Sequence, residues 1–369
     1  MWQDGTGTET ALQPTTAGLT HLEKAVVNSR LLKYTGIIQA YHVVSVSSRL
    51  ESPEQSKNRV ANMEVCQIQF LMLKKGVKLK PKHWFVFITL GAIWGSSFLW
   101  IEIALREIGP ITLVAFRAFF GLLFGLAVIL IQRVPFPRTM KEWTPLIALG
   151  MTNIAIPFFL ISWGQKSIDS GVASILDATV PLFTILVAHF MLRDDKITTP
   201  KVLGLLVGFA GVVVLMSKDI GASTGSLMGQ LAVILACVFY AASSIIARIY
   251  TEEIPSIMRS MGPLVSATVV MSVSSFIFES PFKVPSLPLT WIALLWLGIL
   301  GSGLAFLLLY YLIHEIGPTR ATMVTYLFPL GGVTLGVIFL NEARTWEIVT
   351  GAALIIGSLA IANWSPKQV

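Results

Sequence analysis

The sequence predicts an all-α integral membrane protein, ten transmembrane helices arranged as two inverted five-helix repeats around a central cavity. Three observations predict it. Of 369 residues, 54% are apolar and only 13% charged, whereas an average soluble protein has about 25% charged residues. A soluble chain this apolar could not cover its surface. From Trp84 onward, apolar runs recur, each close to the ~20 residues a helix needs to cross the hydrocarbon core. Finally, the stretch Gly171 to Met216 returns near the C-terminus as Thr319 to Asn363.

The first 71 residues differ from the rest. They open on a polar, Gly/Thr-rich run, and Val26 to Val46 is interrupted by Asn28, Arg30, Lys33, Gln39 and His42. No basic start, apolar core and small-residue cleavage site marks a signal peptide. Three readings stay open for residues 1–71: a disordered tail, a small cytoplasmic extension, or translated sequence upstream of the natural start. Met72 is followed by LKKGVKLKPKHW, the short basic beginning expected of a bacterial inner-membrane protein. The first repeat is then 72–217 and the second 218–369.

Ten apolar runs follow, near 84–104, 111–131, 143–164, 171–192, 200–216, 228–248, 259–279, 290–313, 319–340 and 345–364. Lipid offers no partner to a backbone N–H or C=O, so each run must satisfy its own as a helix. Strands are excluded because the runs do not alternate. Connections are short and hold turn residues such as Gly109-Pro110, Pro135-Phe136-Pro137 and Gly317-Pro318. An offset of about 148 places puts Ala173 on Ala321, Pro181 on Pro329 and Leu182 on Leu330, with Asp194 near Glu342.

Orientation follows from the basic residues. From Met72 onward, fifteen Lys and Arg lie on the N-terminal side and five on the other, with Arg117 inside a span. Basic loops stay cytoplasmic, so both termini are expected in the cytoplasm of a multi-pass protein of the inner (plasma) membrane. Five spans per repeat insert the halves in opposite directions, which suggests a membrane carrier built of two halves.

The motifs WGSSF (Trp94 to Phe98), FRAFFG (Phe116 to Gly121) and GVASILDATVPLF (Gly171 to Phe183), with the glycine-rich GLLVGFAGVVVL (Gly204 to Leu215), resemble the EamA family of the drug/metabolite transporter superfamily. ATMVTYLFPL and GAALIIGSLAI in the second half add to the resemblance, which covers roughly residues 80–365. It implies a ten-helix bundle whose spans 1, 3, 4, 6, 8 and 9 line one path. It also implies transport of small organic metabolites, often amino acids. The sequence departs from the family at Arg193-Asp194-Asp195, where one Glu is usual.

Arg117 and Asp177 are the ionisable residues deepest in the spans. Each costs roughly 2.5–3.5 kcal/mol to insert, so each should face protein or water. Arg117 reads either as a charge that attracts a carboxylate or latches the halves, or as a structural residue bonded to nearby backbone. Asp177 could accept a coupling proton, bind a substrate ammonium, or pair with Arg117. Coupling to protons and facilitated diffusion both stay open. Pro181 and Pro329 should each kink their helix near its middle, by removing a backbone donor and clashing with the preceding turn; the result is a gating hinge or inherited packing geometry.

Trp94, Ser96, Ser97, Asn153, Trp163, Tyr240, Ser243, Ser244, Tyr310, Tyr311 and Tyr326 fall in the spans expected to line the cavity. Aromatic walls with a few hydroxyls and amides suit a zwitterionic or mixed solute. About half should line the path. The rest read as interface anchors or as Ser bonded to its own helix.

Gly121-Leu-Leu-Phe-Gly125 and Gly204-Leu-Leu-Val-Gly208 fit close helix packing, within the chain or in a homodimer. No Walker A, GxSxG, HExxH or Cys/His metal spacing occurs. Cys66 and Cys237 have no metal or disulfide pattern, so neither a cofactor nor a metal is expected. The net charge of +7 belongs to the loops and signals bilayer orientation, not nucleic acid. The expected partners are a lipid bilayer and a small-molecule substrate. Export of amino acids or related compounds, without enzymatic activity, is the leading reading. A drug or nucleotide-sugar carrier, an integral-membrane enzyme and a non-transporting scaffold are the alternatives. Glu102 lies too near its span's end to serve as the deep acid of a drug carrier.

Overall fold

The structure, a computed structural model, describes residues 80–191, 198–217, 224–280, 283–316, 321, 323–343 and 345–362. The N-terminal extension, Met72 and the Arg193-Asp194-Asp195 loop lie outside the described residues. The helices are α1 (Pro81–Leu105), α2 (Pro110–Ile131), α3 (Met140–Gly164), α4 (Ser170–Met191), α5 (Thr199–Ser217), α6 (Thr224–Tyr250), α7 (Ser256–Phe278), α8 (Pro288–Ile316), α9 (Met323–Leu340) and α10 (Trp346–Ala362). Nine of these are long and apolar enough to cross a membrane, and α10 is a shorter apolar helix. No strand occurs among the described residues.

Local chemistry sets the ends. Pro81, Pro110 and Pro288 begin α1, α2 and α8, where a missing N–H costs nothing. Thr139 caps α3 by accepting from the Glu142 N–H, and the Glu142 carboxylate accepts from the Arg138 N–H. Asn341, at φ 57°, closes α9 in the left-handed region.

Helix pairing shows the duplication in space. The helices α2 and α7 pack together, as do α4 and α9, and α5 and α10; each pair joins a helix to its own repeat counterpart. Crossed pairs come in matched sets: α3 with α7 and α2 with α8, α4 with α6 and α1 with α9. That is the pairing expected of two repeats related by a two-fold axis.

The α5 glycines serve contacts within the chain. A Cβ on Gly204 would meet Ala362, one on Gly208 would meet Leu182 and Ser358, and one on Gly211 would meet Leu354 and Ile355. Gly121 faces Ser302 and the Gly298 carbonyl, and Gly125 faces Met261. At the centre, α1 and α9 cross backbone to backbone: a Cβ on Gly331 would stand 2.8 Å from the Gly95 Cα.

Four spans are interrupted near their middles, in two matched pairs. The fourth stops at Asp177 and resumes at Val180, just before Pro181. The ninth runs as a 3-10 turn over Met323–Leu327 and becomes α-helical at Phe328, just before Pro329. In α3, Gly150–Ala155 is π-helical, and in α8 so is Trp296–Leu304. The offset that puts Pro181 on Pro329 also puts Gly150 on Gly298. Both glycines admit a neighbouring helix: a Cβ on Gly150 would meet the Pro263 carbonyl, and one on Gly298 the Arg117 carbonyl.

Candidate functional site

A cavity of about 400 Å³ lies between the two repeats. It reaches the N-terminal side of the bundle at Arg248 in the last turn of α6, Arg259 and Ser260 near the start of α7, Ile313 in α8 and Thr325 in α9. Its inner end is walled by Ile101, Phe158, Ile161, Arg117 and Asp177. Arg117 and Asp177 stand about two turns into α2 and α4 from the opposite side. Past them the space is filled by Ala104, Ile108, Leu113, Val114 and Val172.

The two π-helical segments shape the wall. A π turn carries one residue too many for its ladder, so carbonyls and side chains there turn away from the helix. The Trp94 indole Nε1–H donates to the Gly301 carbonyl at 3.0 Å. The Ser302 hydroxyl donates to the Leu297 carbonyl and accepts from Arg117 Nε at 3.0 Å. In α3, the Asn153 Oδ1 accepts from the Ser243 hydroxyl at 3.0 Å.

Arg117 is buried, with its guanidinium carbon 3.6 Å from the centre of the Phe158 ring. Stacking and the Ser302 bond fix the plane of the group and occupy only Nε. Asp177 is also buried, and the Cys237 thiol lies 4.0 Å from its Oδ1. No ion pair within 4.0 Å joins Arg117 to Asp177, although each feels the other's charge, and Tyr240 stands near both. The deep end therefore holds a guanidinium and a carboxyl group that are not in contact with each other.

The WGSSF motif resolves residue by residue. Trp94 packs edge-on against Phe306 and Phe328. Gly95 makes the crossing with Gly331. Ser96 donates to the Ile93 carbonyl and accepts from Trp296 Nε1. Ser97 lines the cavity. Phe98 packs on Phe328, and its carbonyl accepts from the buried Gln165 amide.

Of the residues singled out from sequence, Trp94, Ser97, Arg117, Asn153, Asp177, Tyr240, Ser243, Ser244 and Tyr310 line the cavity. Ser96 does not, because Trp296 covers its hydroxyl. Trp163 does not either; its side chain faces outward from the bundle and is 41% exposed. Tyr326 packs instead against the Leu182–Leu205 cluster, away from the cavity. Tyr311 lies outside it, under the Lys82 ammonium. Pro181 and Pro329 sit just past the two helix breaks and off the wall.

Sequence reasoning passed over Arg248 and Arg259, which it counted only as loop charges. The Arg259 guanidinium donates to the Glu252 and Ile254 carbonyls at 3.1 Å and lies 5.9 Å from the Tyr310 ring. With Arg248 it makes the mouth cationic. It also passed over Ser302 and Phe158, which hold Arg117. The only signal for Ser302 was the small-residue run Gly298 to Gly303, which reads equally well as packing.

Comparisons with known proteins agree with this architecture. The pattern of the EamA-like transporter family matches residues 81–217 and 227–364. The uncharacterized transporter YoaV of Bacillus subtilis is 26% identical over 272 residues, 73% of this chain and 92% of YoaV. An uncharacterized transporter of Archaeoglobus fulgidus is 28% identical over 282 residues, 74% of this chain and 96% of its own. The uncharacterized inner membrane transporter YedA of Escherichia coli K12 is 25% identical over 250 residues, 67% of this chain and 79% of YedA. A solved crystal structure superposes with a TM-score of 0.57 at 20% identity, covering 79% of this chain and 100% of that one; it supports the fold alone.

Proposed function

Since the chain belongs to the EamA-like transporter family, we propose that it is a secondary transporter of the inner (plasma) membrane that exports small organic metabolites, amino acids or related compounds, by alternating access. Its two inverted repeats (72–217 and 218–369) rock about a shared site. The observation that carries the substrate class is the deep end of the cavity. A buried guanidinium and a buried carboxylate, not paired by contact, stand in an otherwise aromatic and apolar chamber. A zwitterion gives each its missing partner, a carboxylate for Arg117 and an ammonium for Asp177.

Size and polarity fit that class. About 400 Å³ lies at the small end of ligand cavities, which run from roughly 300 to 1,000 Å³. The apolar wall at Trp94, Phe98, Phe158, Phe306 and Phe328 accepts a side chain. Asn153, Ser243 and Tyr240 offer hydrogen bonds along the way. Arg248 and Arg259 raise the local concentration of carboxylate-bearing solutes at the mouth.

Orientation supports export as the direction. The excess of Lys and Arg on the N-terminal side assigns that side, and both termini, to the cytoplasm. The cavity reaches the same side, the face at which an exporter takes up its solute. The test is flux from proteoliposomes loaded with a panel of radiolabelled amino acids. Saturable release of at least one, lost in Asp177→Asn or Arg117→Met, supports the reading. Absence of saturable flux across the whole panel sinks it.

A further inference from the structure

The end of the bundle opposite the cavity mouth is closed by three glutamates, each of which reaches from one repeat to backbone N–H groups at or just before the start of a helix in the other. Glu107, after α1, accepts from the Ser286 N–H and hydroxyl and from the Leu287 N–H at the start of α8. Glu279, after α7, accepts from the Ile111 and Thr112 N–H groups at 2.9 and 2.8 Å at the start of α2. Glu342, after α9, accepts from the Ser170 and Gly171 N–H groups at 2.7 and 3.0 Å at the start of α4.

A helix N-terminus leaves N–H groups without intrahelical partners and carries a positive partial charge. An ionised carboxylate is its strongest ordinary side-chain partner. Here none of the three caps is local. Each is lent by the opposite repeat, so each bond must break if the repeats part at this end. The glycines beside them leave the space: a Cβ on Gly109 would occupy the Glu279 carboxylate position, and one on Gly336 that of Glu342. Below the Glu279 cap, the Thr112 and Ser275 hydroxyls touch at 2.6 Å, again across the repeats.

We propose that Glu107, Glu279 and Glu342 are the gate residues of this transporter, a three-point clamp that holds the side opposite the cavity mouth shut and opens as a unit when the cavity turns to that side. On opening, the N–H groups of α2, α4 and α8 pass to water, and the carboxylates stay ionised in water. The clamp thus closes the path by exchanging hydration for backbone bonds. This inference rests on the alternating-access reading above, but its test needs no substrate.

Two reporter cysteines are placed in a Cys66→Ser/Cys237→Ala background, in separate proteins, in lipid nanodiscs. Ser174→Cys lies fully buried beside Gly332, where α4 meets α9 beneath the Glu342 clamp. Ser260→Cys lies at the cavity mouth. Both are labelled with a charged maleimide. Loss of the charge that strengthens these bonds, in Glu342→Gln or Glu279→Gln, shifts the equilibrium by about tenfold or more. The Ser174→Cys rate rises by about that factor, and the Ser260→Cys rate falls.

Unchanged rates at both reporters overturn the clamp. A rise at both also overturns it, because general loosening exposes both ends together. Should either variant fail to give monodisperse protein, Glu107→Gln at the outer rim carries the same expectations. Reciprocal labelling in a protein that moves no amino acid leaves the clamp standing and removes the proposed substrate class.

Discussion

Replacing Arg117 by Lys separates two roles that a deletion would merge. Lys keeps the positive charge but loses the planar fork. In the parent, Nε is held by Ser302 at 3.0 Å and the guanidinium lies flat on Phe158 at 3.6 Å. The terminal nitrogens are left for a solute carboxylate, which they can meet with two parallel bonds. A Lys ammonium at the same place must divide itself between Ser302 and the solute, and it makes a poorer stack. Losing one of two charge-assisted bonds removes roughly 1.5–3 kcal/mol from solute binding. The half-saturating concentration for uptake into proteoliposomes should therefore rise between about tenfold and a hundredfold. The maximal rate should change far less, because the charge that balances Asp177 remains. Losing the stack should also lower the melting temperature of the solute-free protein, since a desolvated cation–π contact is worth about 2 kcal/mol. A Lys variant with the parent's concentration dependence would refute the reasoning, and Arg117 would then be a structural residue only.

Asp177→Asn keeps shape and removes charge; saturable flux should be lost with the ammonium partner, and gradient-driven accumulation at the parent's level would exclude Asp177 both as that partner and as the carrier of a coupling proton. Gly331→Ala should force α1 and α9 apart, because its Cβ would stand 2.8 Å from the Gly95 Cα. The expected cost is about 1–3 kcal/mol, read as a lower melting temperature. Trp163→Ala should leave transport kinetics intact, whereas Trp94→Ala, which frees the Gly301 carbonyl and unpacks Phe306 and Phe328, should impair them severely. The Ser286 hydroxyl, with Thr290 and the Ser286 and Leu287 N–H groups, holds the Glu107 carboxyl at about 2. A depressed acid contributes its stabilisation above the ordinary carboxylate range and loses it as pH falls toward the folded value. Carboxyl-carbon NMR should accordingly find Glu107 titrating well below 4.5, and a midpoint near 4.5 would contradict the Ser286 contact.

The bundle was legible because its signals are collective. Ten apolar runs and a repeated Pro181/Pro329 register survive any single misreading, since each helix must satisfy its own backbone. A bend at each of Pro181 and Pro329 was legible too, because proline acts through its own ring; that the regular α-helix is broken altogether just before each was not. What escaped was whatever depends on a partner. Gly298 reads as packing until α2 is seen to press against it and Arg117 to bond the Ser302 hydroxyl of that segment. The π turns in α3 and α8 have no residue code; they arise where Gly150 and Gly298 let another helix press in. Trp163 and Tyr326 failed for a related reason. Span membership is set by period and length, but the face a side chain presents is set by which neighbours the helix meets.

The distribution of charge follows from what a two-fold scaffold must do. If the repeats exchange conformations during the proposed cycle, their backbones must be near-equivalent, and the matched features here are backbone features: the breaks before Pro181 and Pro329 and the π turns at Gly150 and Gly298. A zwitterion has no two-fold symmetry, so its site cannot be matched. The offset that aligns the prolines sets Asp177 opposite Thr325, which lines the same cavity without a charge. Arg117 and Asp177 both belong to the first repeat. Introducing Thr325→Asp would place a second carboxylate at the related position. A repulsion between the two would raise the affinity for solutes carrying two ammonium groups and lower it for those carrying two carboxylates, and competition flux with dibasic and dicarboxylic amino acids measures both. Equal effects on the two classes would mean that charge at this position does not face the solute, and the asymmetric site would have to lie elsewhere.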